Sequence, residues 1–305
     1  MARKRSPQPT LRSKKKSTFK ETWFVVIAVL AAIALLVYPT ASTQWNNYRQ
    51  HQIAHAYSHD VEQLGGEVAE DIVRSAQAYN ARNAAGPIID PWNSRVSKDN
   101  EIYQEYVKEL DDLDSMAEVI IPSINVNLPV YHGTEDSTLS KGLGHLFGTA
   151  LPVGGDNTHA VITGHTGMPN ATMLDNLTKV KEGDAIYVNT YGLKMKYEVH
   201  SIEVVLPEET DSLWPVKGQD LLTVITCTPY GVNSHRLLVH AHRVPMDAQE
   251  MENQKVSPFS LQWWMLAFGL LAIFAIELVF IWVLRTRSRV KEWNRKIDQL
   301  HRTMR

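Results

Sequence analysis

Leu221-Leu222-Thr223-Val224-Ile225-Thr226-Cys227-Thr228-Pro229-Tyr230-Gly231-Val232-Asn233-Ser234-His235-Arg236-Leu237-Leu238-Val239 places the only cysteine of this 305-residue chain at the end of an apolar, β-branched run. Such a run reads as a buried strand, and Pro229, Gly231 and Asn233 mark the loop that follows it. A second apolar run opens at Ser234. If the two runs form a hairpin, the loop returns Arg236 to the neighbourhood of Cys227. A fixed cation there favours the thiolate over the thiol, whose ordinary pKa is about 8.5. The same guanidinium can hold a carbonyl or stabilise an oxyanion. The bland alternatives are a small buried hydrophobe for Cys227 and a surface cation for Arg236.

Upstream, short β-rich runs are broken by Gly, Pro, Asn and Asp: 119–121, 128–131, 159–163, 185–189 and 194–206. The fold class is therefore mainly β, and the near absence of intervening helices points to an antiparallel sheet or barrel. Parallel crossovers would need helices that are missing here, apart from a short candidate at 172–177. A base or acid to serve the thiol must come from another strand. His165 ends the run Ala160-Val161-Ile162-Thr163-Gly164 and precedes Thr166-Gly167, which leaves room for a ligand. His235 adjoins Arg236, but strand alternation sends it to the opposite face, whereas His240 and His242 share the Arg236 face and read as structural.

Towards the N-terminus the texture is helical. Residues 43–84 are polar, with His51, His55 and His59 on one helical face; no carboxylate or cysteine completes a metal ligand set, so a solvated helix is the simpler reading. A second helix is expected over 100–116, capped by Ser97 or Asp99. Between these helices Gly86-Pro87-Ile88-Ile89-Asp90-Pro91-Trp92-Asn93 carries two prolines and a glycine, which forbid regular structure.

The charges are sorted along the chain. Eight basic residues and one acid precede Trp23, eight basic residues and two acids follow Leu284, and the segment between Pro39 and Phe259 holds 15 basic and 29 acidic residues. An acidic middle disfavours nucleic-acid binding, and one cysteine excludes an intramolecular disulfide framework. Residues 23–38 approach the roughly 20 apolar residues that cross a bilayer. Arg3-Lys4-Arg5 and Lys14-Lys15-Lys16 before them suit either an uncleaved anchor or a signal peptide with a weak cleavage site at Ala41-Ser42. Trp263 to Leu284 reads as a transmembrane helix, with Trp263, Trp264 and Trp282 at interface positions and Glu277 placed to snorkel. With both basic flanks in the cytoplasm, the acidic middle is exported. An exported thiol left unpaired needs a reason, because it oxidises readily.

The pattern from Thr226 to Leu237, with Leu151-Pro152-Val153-Gly154-Gly155 and Ile162-Thr163-Gly164-His165-Thr166-Gly167, resembles the signature of sortases, specifically the pilus-assembling class C. Similarity runs over about 117–244, and the C-terminal membrane helix and Asp90-Pro91-Trp92, which resembles the lid motif of that class, also fit. The resemblance implies a closed eight-stranded β-barrel, with Cys227 as nucleophile, His165 as general acid/base and Arg236 as the substrate-positioning cation. It further implies a lid in which Trp92 covers the cleft and Asp90 approaches Cys227 or Arg236. The implied reaction cleaves an LPxTG-like sorting signal between Thr and Gly through a thioacyl enzyme, which a pilin lysine amine resolves. The implied partners are pilin subunits bearing sorting signals, an acceptor pilin lysine and the lipid bilayer. No metal or cofactor is called for.

On this reading 1–22 is a basic cytoplasmic tail, 23–39 a signal anchor, 40–116 a helical region with the lid at 86–93, and 117–245 the catalytic barrel. Residues 246–260 form a tether, 261–284 a transmembrane helix and 285–305 a second basic cytoplasmic tail. A sortase acting on a cell-wall amine, or a thiol hydrolase using water, shares the same site residues. A non-enzymatic surface protein that is itself sorted would need an LPxTG-like pentapeptide before its apolar tail. Val256-Ser257-Pro258-Phe259-Ser260 is not one, and Leu206-Pro207-Glu208-Glu209-Thr210 lies more than fifty residues too early.

Overall fold

A computed structural model describes residues 12–83, 100–247 and 249–303. The chain divides into two compact units, one of residues 1–41 with 261–305 and one of residues 42–260. Helix α1 spans Arg12–Leu64, α2 Gly66–Asn83 and α3 Glu101–Tyr106. Eight strands follow: β1 Ala117–Ile121, β2 Val126–His132, β3 Leu143–His145, β4 Thr158–Thr163, β5 Ala185–Thr190, β6 Leu193–Val205, β7 Asp220–Thr228 and β8 His235–Val244. A one-turn helix α4, Asp136–Leu139, lies between β2 and β3, and α5 occupies Trp263–Thr303. Within the first unit, α1 and α5 each supply an apolar helical stretch long enough to cross a membrane, with Phe24, Leu35, Leu270 and Phe280 exposed on their surfaces.

The strands close into an eight-stranded barrel in the order β1-β2-β3-β4-β7-β8-β6-β5. Most neighbours are antiparallel, as the sequence pattern predicts, but β2 runs parallel to β3 and β4 parallel to β7. The first parallel pair is joined through α4. The second needs no direct crossover, because the β5–β6 hairpin intervenes in sequence and joins the barrel on its other side. The short helix expected at 172–177 is instead a pair of turns ending in a 3-10 turn at Leu177–Lys179.

Alternation along the strands separates two faces. Leu222 and Val224 of β7, Leu237, Val239 and Ala241 of β8, and Ala160 and Ile162 of β4 point into the main core. Ile225, Leu238 and Val161 point outward and form a second cluster with Leu146 and Leu213. Each large aliphatic side chain so buried contributes about 1.5–3 kcal/mol of transfer free energy. The helices close one side of the core with Tyr57, Val61, Val73, Ala76 and Tyr79. Gly65, at φ 86°, breaks the helix between α1 and α2, a conformation that only glycine adopts without steric cost.

The helix expected over 100–116 stops at Tyr106. Asn100 is its cap, accepting from the backbone of Ile102 at 2.9 Å and Tyr103 at 3.4 Å; Ser97 and Asp99 lie outside the described residues. The aspartates at 111, 112 and 114 favour turns over helix, and Met116 N already donates to Val130 O of β2 at 2.9 Å. The segment read as a tether, 246–260, lies along the barrel. Met251 is buried against Ile120 and Tyr187, Glu250 pairs with Lys196, and Glu252 pairs with Lys194. At its far end His51 Nε2 donates to Val256 O at 3.1 Å, and Gln44 and Ser260 exchange two hydrogen bonds.

Candidate active site

β7 and β8 form the hairpin that the sequence suggests. Pro229 O accepts from Val232 N at 3.0 Å and Asn233 N at 2.9 Å, and Asn233 takes φ 58°, so the chain reverses tightly after a cis Thr228–Pro229 bond. The register that results makes Cys227 and Arg236 direct cross-strand partners. Paired residues project to the same face, so thiol and guanidinium share the outer face of the barrel wall. Both are buried, at 7% and 8% exposure, although each belongs to a residue type with reactive or charged chemistry. The Arg236 guanidinium donates to Asn233 O and His235 O, each at 3.2 Å, which ties it to the hairpin turn.

β4 flanks β7 on its other side, in parallel register with Thr163 opposite Ile225. The pairing persists beyond the strand: Gly164 N donates to Ile225 O at 3.1 Å, and Thr226 Oγ1 donates to Gly164 O at 2.7 Å. Continuing this register by one residue sets the backbone of His165 alongside that of Cys227. Leu174 N donates to His165 O at 3.1 Å and holds the chain there. His165, Cys227 and Arg236 thus occupy three adjacent chain segments at one edge of the barrel. His165 is half-buried, and desolvation pushes its imidazole below the usual range, with the Asp136 carboxylate opposing the shift. The neutral ring is favoured, the form able to take a proton from a thiol or an amine.

The rim of the site is built by two loops. Asp175 accepts from Thr166 Oγ1 at 3.2 Å and from Gly167 N at 2.7 Å, fixing the turn after His165. Gly167, at φ 77°, brings that turn close to the Tyr230 ring and Gly231 of the β7–β8 loop. His235 stands opposite Thr228 in register, one position from Arg236 and so on the other face, while His240 and His242 share the Arg236 face as alternation predicts. His51 and His59 are engaged elsewhere, with Val256 O and with Gln63 and Asp60. Among the described residues no group of three or more His, Cys, Asp or Glu is arranged to hold a metal ion. Asp90, Pro91 and Trp92 lie outside the described residues.

The sequence places Tyr106 on the apolar stripe of its helix, and there it is buried, but its pairing with His145 is not signalled. The Tyr106 hydroxyl meets His145 Nδ1 at 3.0 Å and accepts from Gly133 N at 3.1 Å, and His145 Nε2 donates to Ala150 O at 2.8 Å. Burial pushes His145 down to about 4, so it is a neutral structural bridge that ties β3 to Tyr106 of α3 and to the loop carrying Ala150. Nothing in a Gly-Leu-Gly-His stretch announces such a role.

A sortase-domain family model matches residues 119–244. Among solved structures, sortase C-1 of Actinomyces oris is 56% identical, and the match covers 58% of this chain and 99% of that one with a TM-score of 0.57. Sortase A of Corynebacterium diphtheriae is 47% identical over 69% of this chain and 100% of its own, with a TM-score of 0.61, and has also been solved as a lid mutant. Sortase C of Streptococcus pneumoniae is 37% identical over 64% of this chain and 97% of its own, with a TM-score of 0.59. With its closed eight-stranded barrel, this chain belongs to the sortase family of cysteine transpeptidases and is of the class C type.

Proposed function

We propose that the protein is a membrane-anchored pilus polymerase in which Cys227, His165 and Arg236 carry the reaction. The observation that supports this most is the register that aligns the three residues on neighbouring segments of β4, β7 and β8. Cys227 gives its thiol proton to His165 and, as the thiolate, attacks the Thr carbonyl carbon of an LPxTG-like signal, while Arg236 holds the carbonyl oxygen as charge develops on it. His165 protonates the Gly nitrogen as the Thr–Gly bond breaks, leaving a thioester on Cys227. A pilin lysine amine then attacks the thioester, gives its proton to His165 and releases the thiolate. The acyl bond's energy is conserved in the thioester, so amide formation needs no ATP.

The two long apolar helices and their basic flanks support a chain with both termini in the cytoplasm and the barrel outside. The class C relatives support pilin as substrate, and the lid mutant of the Corynebacterium relative supports Asp90-Pro91-Trp92 as a lid. The test is incubation of the full chain in detergent with a candidate pilin, beside Cys227→Ala. SDS-resistant ladders from the parent alone are expected; ladders from Cys227→Ala would overturn the assignment. Mass spectrometry of the product separates a pilin lysine isopeptide from a cell-wall cross-bridge.

A further inference from the structure

The loop that follows His165 is gripped from outside the barrel. On α1, Thr43, Asn46, Asn47 and Gln50 recur at helical spacing, on the face that Ala54, Tyr57 and Val61 bury further along. Tyr57 fastens that end of the helix to the barrel, its hydroxyl donating to Met116 O at 3.0 Å and accepting from Tyr191 N at 2.8 Å. The asparagines reach the His165 loop instead. Asn47 Nδ2 donates to Thr172 Oγ1 at 2.8 Å while Asn47 Oδ1 accepts from Thr172 N at 3.0 Å, and Asn46 Nδ2 donates to Asn170 O at 2.8 Å. Both polar atoms of the Asn47 side chain are thus engaged with one residue of the loop.

That residue lies a short way along the chain from the imidazole. Leu174, fully buried, donates from its backbone N to His165 O at 3.1 Å, and its side chain lies over Gly164. Between Thr172 and Leu174, Met173 stands at φ 40°, in the left-handed region that a residue with a Cβ enters only at steric cost. Such a conformation persists where bonds on both sides fix the neighbouring residues. Here these are the Asn47 pair on one side and the bond to the His165 carbonyl on the other. Residues 164–176, all among those described, form turns with no strand or helix of their own, so the place of the imidazole depends on such side-chain grips.

We propose that Asn47, assisted by Asn46, is a positioning residue for the reaction, clasping the loop so that His165 stays in line with the leaving nitrogen. His165 protonates that nitrogen in the transpeptidase reading of Cys227, on which this role rests. The clasp comes from the part of α1 that follows the apolar stretch 23–38 in sequence. One helix therefore carries both the apolar stretch and the grip on the His165 loop.

The experiment uses the full chain in detergent with a sorting-signal peptide and an amine acceptor. Asn47→Ala removes both bonds to Thr172, and alanine suits the helix, so α1 itself is kept. The expected result is a fall in kcat of about tenfold to a hundredfold, the loss that a displaced catalytic group brings, with KM within about twofold. Thr172→Ser keeps the hydroxyl and should retain the parental kcat, whereas Thr172→Val should lose several-fold. An ester in place of the scissile amide separates positioning from general loosening. An alkoxide leaves with less help from an acid than an amine does, so the Asn47→Ala defect in kcat/KM should shrink by about threefold or more on the ester. Loss of folded enzyme would lower both substrates alike. Hydrogen exchange followed by mass spectrometry should show residues 168–174 exchanging faster in Asn47→Ala, with the 221–239 hairpin unchanged. Parental kcat in Asn47→Ala, an equal defect on amide and ester, or unchanged exchange at 168–174 overturns the proposal. If the parent transfers no acyl group from either substrate, the transpeptidase reading fails separately, and hydrogen exchange still decides the clasp.

Discussion

Cys227 and Arg236 face each other directly across the β7–β8 hairpin, nine residues apart in sequence and paired in register. The relation is rigid because both sit on a ladder whose turn is closed by Pro229 O and whose guanidinium is tied to Asn233 O and His235 O.

Replacing Arg236 tests that pairing. Lysine keeps the charge but loses the planar fork, so Arg236→Lys should lower kcat/KM about 10²–10³-fold, the loss seen when an oxyanion donor is removed. Steady-state kinetics with a sorting-signal peptide measure it, alongside a thermal melt to show that the hairpin survives. A drop of less than threefold would contradict the assigned role.

The proposal that Asp90, Pro91 and Trp92 form a lid can be tested through the thiol. Asp90→Ala combined with Trp92→Ala should accelerate alkylation of Cys227 by iodoacetamide, since a gate that covers the cleft slows reagent access. Equal labelling rates in mutant and parent would argue against a closed gate.

Acid should loosen the barrel itself. His145 and His159 are each held at about 4 by burial, against 6.5 in an unfolded chain. Between those values the unfolded state binds more protons, so stability is full above about pH 6.5 and falls as pH drops towards 4. Each histidine should remove about 3 kcal/mol across that window. Urea midpoints at pH 7.5 and 4.5 would show the loss, and a His145→Gln or His159→Gln variant should show a shallower one.

Gly164 has no room for a side chain. A Cβ there would stand 2.6 Å from Leu143 Cδ2 and 2.9 Å from Leu174 Cδ1. Gly164→Ala should cost about 1–3 kcal/mol of stability through overpacking and, by shifting His165, lower kcat more than it raises KM. Denaturant titration and kinetics on one preparation would check both effects.

Much of the site is legible in the sequence. The β7 strand and its turn are written in a β-branched run followed by Pro, Gly and Asn, and a hairpin there forces Arg236 towards Cys227. β3 was not readable, because three residues with a glycine at the centre carry no period; Gly144 is required there because a Cβ would run into Gly133 O. The parallel pairing of β4 with β7 joins segments about sixty residues apart, which local pattern cannot signal. The same holds for the Asn47–Thr172 pair, whose members lie 125 residues apart. The segment after β8 looked like a tether because its attachments are single side chains, Met251, Glu250 and Gln254, with no periodicity to betray them.

The stitch between Gln44 and Ser260 has a mechanical consequence. The two ends of the barrel unit are fastened side by side, and the strap continues along the wall from Val256 to Glu250. Under the proposed function, tension on an acyl chain joined to Cys227 would be passed on through a unit whose two ends are already bonded to each other, with several bonds sharing the strain.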